Sequence, residues 1–80
     1  MQVDVLLFAS LKDEVGPTYG VELPEGSDVR SLRLALAAEH PAFARLASRS
    51  LVAVNETYAD DATPIRTGDV VAVLPPVAGG

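Results

Sequence analysis

The sequence predicts an α+β fold: one mixed sheet, one main covering helix, and a short helix after the first strand. Three observations predict it. Apolar residues alternate with period two in the opening run "VDVLLF". Helical spacing is sustained only from Asp28 to His40. Short apolar runs bounded by turn residues then return in the last third of the chain.

Each element has a local reason. In "VDVLLF", Val3, Val5 and Leu7 face one way while Asp4, Leu6 and Phe8 face the other, as in a strand. "SLKDEVGP" reads as a short helix, with Ser10 as N-cap, Asp13 completing a capping box and Gly16-Pro17 as the stop. "TYGVEL" puts Tyr19, Val21 and Leu23 on one face, and "PEGS" closes it. In the main helix Val29, Leu32 and Leu36 recur at i, i+3 and i+7; Ser27 or Asp28 can cap it, and Pro41 ends it. Leu34 lies off that stripe and has no assigned place. "AFARLASRS" allows a further helical turn, with Arg45 and Arg49 one turn apart. "LVAV" is a strand, Asn55-Glu56 a tight turn and "TYA" a brief return. "DDATPIRTGD" is a loop leading into the final strand "VVAVL".

Both terminal strands must therefore join one sheet that has a single long helix to cover it. Val3, Val5 and Leu7 can pack under Val29, Leu32 and Leu36. Leu6 and Phe8 then point to the uncovered face, where an apolar pair implies a partner surface. The alternative is that the loop before Thr67 covers them.

Composition bounds the chemistry. Eighty residues make one small domain, and 49% apolar content is enough for a packed core. Aromatics are only 5%, so that core is Val, Leu and Ala. Cysteine is absent, which excludes disulfides, thiolate metal sites and cysteine nucleophiles. His40 is the single histidine and reads as a solvated helix-end residue. Asp60-Asp61 reads as loop polarity, and neither "PEG" nor "TGD" forms a phosphate loop. The chain is thus expected to be non-catalytic by itself, with no bound metal or cofactor.

The opening "MQVDVLLFAS" has no basic region and carries Asp4 in its apolar run, unlike a signal peptide. No apolar stretch approaches the ~18–20 residues of a bilayer span. A cytoplasmic protein without membrane contact is expected. The net charge of −5 argues against nucleic acid, whose phosphates require Lys and Arg. Residues 27–50 hold four arginines against Asp28 and Glu39, a net +2, which leaves −7 on the rest. That acidic remainder can steer a basic partner.

The chain divides into a domain over residues 1–74 and a tail over residues 75–80, "PPVAGG". Pro75 and Pro76 favour an extended exit, and six residues can reach about 18–20 Å. Gly79 and Gly80 lack Cβ atoms, so they fit a narrow tunnel and leave the terminal carboxyl carbon open to attack. A carboxylate is a poor electrophile and needs conversion to a mixed anhydride such as an acyl-adenylate. Gly80 is the expected reactive group.

Three stretches carry a family resemblance: "LLFASLKDEVG", "GSDVRSLRLALAAEHP" and "LVAVNETYADDATPIRTGDVVAVLPPVAGG". With its VN-x-x-x-A, GD-x-V-A and PPV-x-GG motifs, the chain resembles the MoaD family. These are the sulfur-carrying small subunits of molybdopterin synthase, within the ubiquitin-like β-grasp proteins. The resemblance implies that a MoeB-like enzyme uses ATP and magnesium to adenylate Gly80, and that a sulfur donor converts the adenylate to a thiocarboxylate. The tail would then enter a MoaE-like large subunit, in an assembly of two small and two large chains. There it would give sulfur to cyclic pyranopterin monophosphate, with the catalytic groups on the partner. By position, Phe8, Tyr58 and Leu74 would pack on that partner, and Pro75, Pro76 and Val77 would lead into its tunnel. Leu74 departs from an aromatic often found there. Two other readings are a ThiS-like carrier for thiamine and a protein modifier joined through an isopeptide bond. Lys12 is the only lysine, which disfavours polymeric tagging.

Overall fold

The structure, a computed structural model, describes residues 1–76. Its elements run β1 (Gln2–Leu7), α1 (Ala9–Val15), β2 (Thr18–Glu22), α2 (Val29–Glu39), α3 (Pro41–Leu46), β3 (Leu51–Val54), β4 (Thr57–Ala59) and β5 (Val71–Leu74). The strands form one sheet in the order β2-β1-β5-β3-β4. β1 lies parallel to β5, and the other neighbours are antiparallel, so the sheet is mixed as expected.

Pleating decides the two faces. Val3, Val5 and Leu7 of β1 are buried with Val71 and Val73 of β5 and Val52 of β3. Val29, Leu32 and Leu36 of α2 close over them, joined by Leu11 of α1 and Phe43 of α3. The i, i+3, i+7 stripe therefore does what its spacing predicts. Asp28 caps α2: its Oδ1 accepts from the Ser31 N–H at 2.9 Å and the Ser31 hydroxyl at 3.0 Å. Those two donors hold the Asp28 carboxyl below the ordinary carboxylate range.

The start of α2 is also tied to the long loop. The Val29 and Arg30 N–H groups, without partners inside the helix, donate to the Thr63 and Asp61 carbonyls at 3.0 Å. Ile65 of that loop is buried in the core. The loop before Thr67 thus packs at the helix side of the sheet and leaves Leu6 and Phe8 uncovered.

Two local expectations are corrected. Ser10 does not cap α1; the helix starts one residue after β1, Phe8 occupies the cap position, and no side chain accepts there. The first turn instead closes through the Phe8 carbonyl, which accepts from the Lys12 N–H at 3.3 Å. The immediate strand-to-helix turn, with Ala9 at φ +51, swings Leu11 into the core. His40 is half-buried rather than solvated. Its Nδ1 accepts from the Ala42 N–H at 3.1 Å, capping α3, and its ring packs edge-on against Tyr19 and Phe43. Tyr19 donates to Glu39 at 2.8 Å, and this bond holds the phenol above its ordinary range.

Candidate functional site

The face of the sheet opposite α2 is open and apolar. Cross-strand register places Leu6 beside Ala72, Ala72 beside Ala53, and Ala53 beside Tyr58. One row of side chains therefore crosses four strands on the outer face. A second pair, Leu51 and Leu74, lies beyond it at the end of β5. Phe8 continues the β1 alternation with φ −132°, extended backbone that keeps its ring on this face. Phe8 is 44% exposed and Tyr58 68% exposed, while Leu6, Leu51 and Val70 are also open to solvent. Large apolar side chains exposed on one sheet face in this way, around buried Ala53 and half-buried Ala72, mark an interaction surface.

Backbone and side-chain bonds fix the far edge of the patch. Asn55 and Glu56 turn the β3–β4 hairpin at φ +52 and +67, a left-handed pair that suits a two-residue turn. The Asn55 side chain accepts from the Val70 N–H at 2.9 Å and donates to Asp69 Oδ1 at 3.0 Å. Asp69 also accepts from the Arg66 N–H at 2.8 Å. These bonds push the Asp69 carboxyl below the ordinary range, the Arg66 N–H contributing most. They lock the hairpin that carries Tyr58 to the entry of β5.

The near edge is where the chain leaves the body. Because β1 and β5 are parallel, with Leu7 beside Val73, Phe8 and Pro75 emerge at the same end of the sheet. Pro75 is buried, continuing the inward alternation of Val71 and Val73. Pro75 therefore anchors the exit, and Pro76 is the first exposed residue beyond it. Val77, Gly79 and Gly80 lie outside the described residues.

The structure thus brings Phe8, Tyr58, Leu74 and Pro76 to one face and its rim. Leu51 and Val70 belong to the same patch and are not among the residues the sequence singles out. Their signal is alternation: Leu51 shares the parity of Ala53, and Val70 that of Ala72. Among the described residues, no three His, Cys, Asp or Glu side chains gather as metal ligands. No helix there is long and apolar enough to cross a membrane.

The ThiS family pattern matches residues 5–80. The chain belongs to the ThiS family. It is 32% identical to the molybdopterin synthase sulfur carrier subunit of Chlamydomonas reinhardtii, covering all of both chains. To the protein of that name from Escherichia coli it is 35% identical, over 98% of this chain and 99% of the relative. Among solved structures, a Pyrococcus furiosus protein described as molybdopterin converting factor, subunit 1, superposes with a TM-score of 0.82. It is 31% identical, over 96% of this chain and 99% of that one. Small archaeal modifier protein 1 of Haloferax volcanii superposes at 0.80 with 27% identity, over 95% and 98% of the two chains. A Helicobacter pylori relative, 30% identical with full coverage of both chains and a TM-score of 0.70, is solved in complex as subunits 1 and 2 of molybdopterin-converting factor. The fold of this ThiS-family chain is the ubiquitin-like β-grasp.

Proposed function

We propose that this protein is the sulfur carrier subunit of a molybdopterin synthase. The observation that carries this reading is full-length similarity to curated sulfur carrier subunits from algal and bacterial sources. The open sheet face supports it, because a carrier must dock on another protein beside the point where its chain leaves the body.

In this reading Gly80 is the only reagent. A MoeB-like enzyme holding ATP and magnesium lets a Gly80 carboxylate oxygen attack the α-phosphorus, and pyrophosphate leaves. Sulfide released by the sulfur donor then attacks the acyl carbon, the C–O bond to AMP breaks, AMP leaves, and a thiocarboxylate remains. Docked on a MoaE-like large subunit, the thiocarboxylate sulfur attacks a carbon of cyclic pyranopterin monophosphate and displaces an oxygen, and water then cleaves the acyl–sulfur bond and returns the Gly80 carboxylate. Phe8, Tyr58 and Leu74 bury their apolar surface against that subunit. Pro75 fixes the exit, Pro76 and Val77 carry the terminus inward, and Gly79 passes where a side chain would clash. The assembly pairs two small with two large subunits in the cytoplasm.

A second reading, protein modification, is favoured by the likeness to the archaeal modifier. There the activated Gly80 carbonyl would be attacked by a lysine amine of another protein, releasing AMP. One test separates the two. Removing Gly80 should abolish molybdopterin formation in a reaction rebuilt from the large subunit, activating enzyme, ATP and sulfur donor, with the circular dichroism spectrum unchanged. Normal synthesis by the truncated chain would overturn the carrier reading. Conjugates to lysine in the complete reaction, without sulfur transfer, would establish the modifier.

A further inference from the structure

A second surface lies on the helix side, remote from the open sheet face. Arg30 and Leu34 are exposed one turn apart on α2, and half-buried Ala37 follows at i+7 on the same side. Ala44 on α3 and Ala47 and Ser48 just after it face them. Together these residues line a groove of about 350 Å³, with Arg33 and Asp61 at its wall. Small side chains on both helices leave it concave, and Leu34, 63% exposed, stands at its side.

The groove is held open by bonds already made. The Arg33 guanidinium donates to Asp61 at 2.9 Å, to the Ser50 carbonyl at 2.7 Å and to the Ala47 carbonyl. Those contacts consume the Arg33 charge and brace α2 against the end of α3. Arg30, by contrast, has no ion-pair partner among the described residues. It stands exposed at the lip of an apolar depression. Of the four arginines in residues 27–50, Arg33 and Arg45 are paired with Asp61 and Glu14, so Arg30 and Arg49, which have no ion pair among the described residues, are the charges that draw a carboxylate to this side.

We propose that this groove docks a partner segment presenting an aliphatic side chain next to a carboxylate. The aliphatic group fills the alanine-floored depression beside Leu34, and the carboxylate pairs with Arg30. Because α2 and α3 cover one face of the sheet and the apolar patch lies on the other, both surfaces can be occupied together. A protein bound at the groove can hold the domain while its terminus visits another protein. The groove's occupancy does not depend on whether Gly80 carries sulfur.

The test is a titration of ¹⁵N-labelled full-length protein with two capped peptides, acetyl-Leu-Glu-Glu-Leu-amide and its glutamine counterpart. Saturable amide shifts are expected at Arg30, Leu34, Ala37, Ala44 and Ser48 with the acidic peptide, at several-fold higher affinity than with the neutral one. Arg30→Glu and Leu34→Ala, both at exposed positions, should each weaken binding severalfold while shifts elsewhere in the spectrum stay in place. Added salt should weaken it as well. Absence of saturable shifts, or equal binding of both peptides, would overturn the proposal. Groove shifts that vary with protein concentration alone would assign the site to a second copy. Groove shifts that appear on removing residues 77–80 would assign it to the chain's own terminus. Either result overturns it too.

Discussion

Phe8 keeps an aromatic ring in water at the end of β1, where the pleat directs it away from a core that has room for Phe43. Covering the rest of that ring with a partner is worth about 2 kcal/mol. Phe8→Asp removes that gain and adds a charge to an apolar contact. The variant should fold normally and bind the large subunit at least ~30-fold more weakly in calorimetry. Unchanged affinity would take Phe8 out of the interface. Asp28 acts on folding instead. Its folded carboxyl titrates below the ordinary range because Ser31 donates to the charged form. The stability it contributes is therefore complete above the ordinary carboxylate range and is lost as pH falls through the lowered value. Urea midpoints measured from neutral to strongly acid pH should fall less steeply in Asp28→Asn than in the native chain. Parallel curves would show that the cap is energetically silent.

At the scale of elements, α3 depends on a histidine. His40 ends α2, accepts from the Ala42 N–H and packs its ring between Tyr19 and Phe43. His40→Ala leaves a buried alanine's amide without its partner and should cost about 1 kcal/mol. For a domain of this size that is roughly 4–8 °C in Tm, read from a thermal melt. An unaltered midpoint would mean that Pro41 alone starts the helix. Strands, the α2 stripe and the outward direction of Leu6 and Phe8 are legible in the sequence because period-two and period-3.6 patterns are local. The role of His40 is not legible, since its partners lie on β2 and α3. The true cap of α1 is hidden too: Ser10 offers a plausible capping box, but burial of Leu11 decides where the turn begins. Leu51 and Val70 sit in all-apolar runs, so their parity becomes readable only once the strand register shows that Ala53 and Ala72 face outward.

For the whole molecule, the sheet separates two tasks. Its inner face, closed by α2, α3 and the Ile65 loop, supplies the stability of a domain without disulfides. Its outer face is left apolar in the row from Leu6 to Tyr58, and the chain exits beside it at Pro76. That arrangement suits a body that docks and a terminus that reacts. The most direct check is the intact mass of the full-length protein after incubation with a MoeB-like adenylating enzyme, ATP, magnesium and a sulfur donor. Replacement of one oxygen by sulfur, localised to Gly80 by fragmentation, is the expected result. A terminus that is adenylated yet never acquires sulfur, or that never reacts at all, would contradict it.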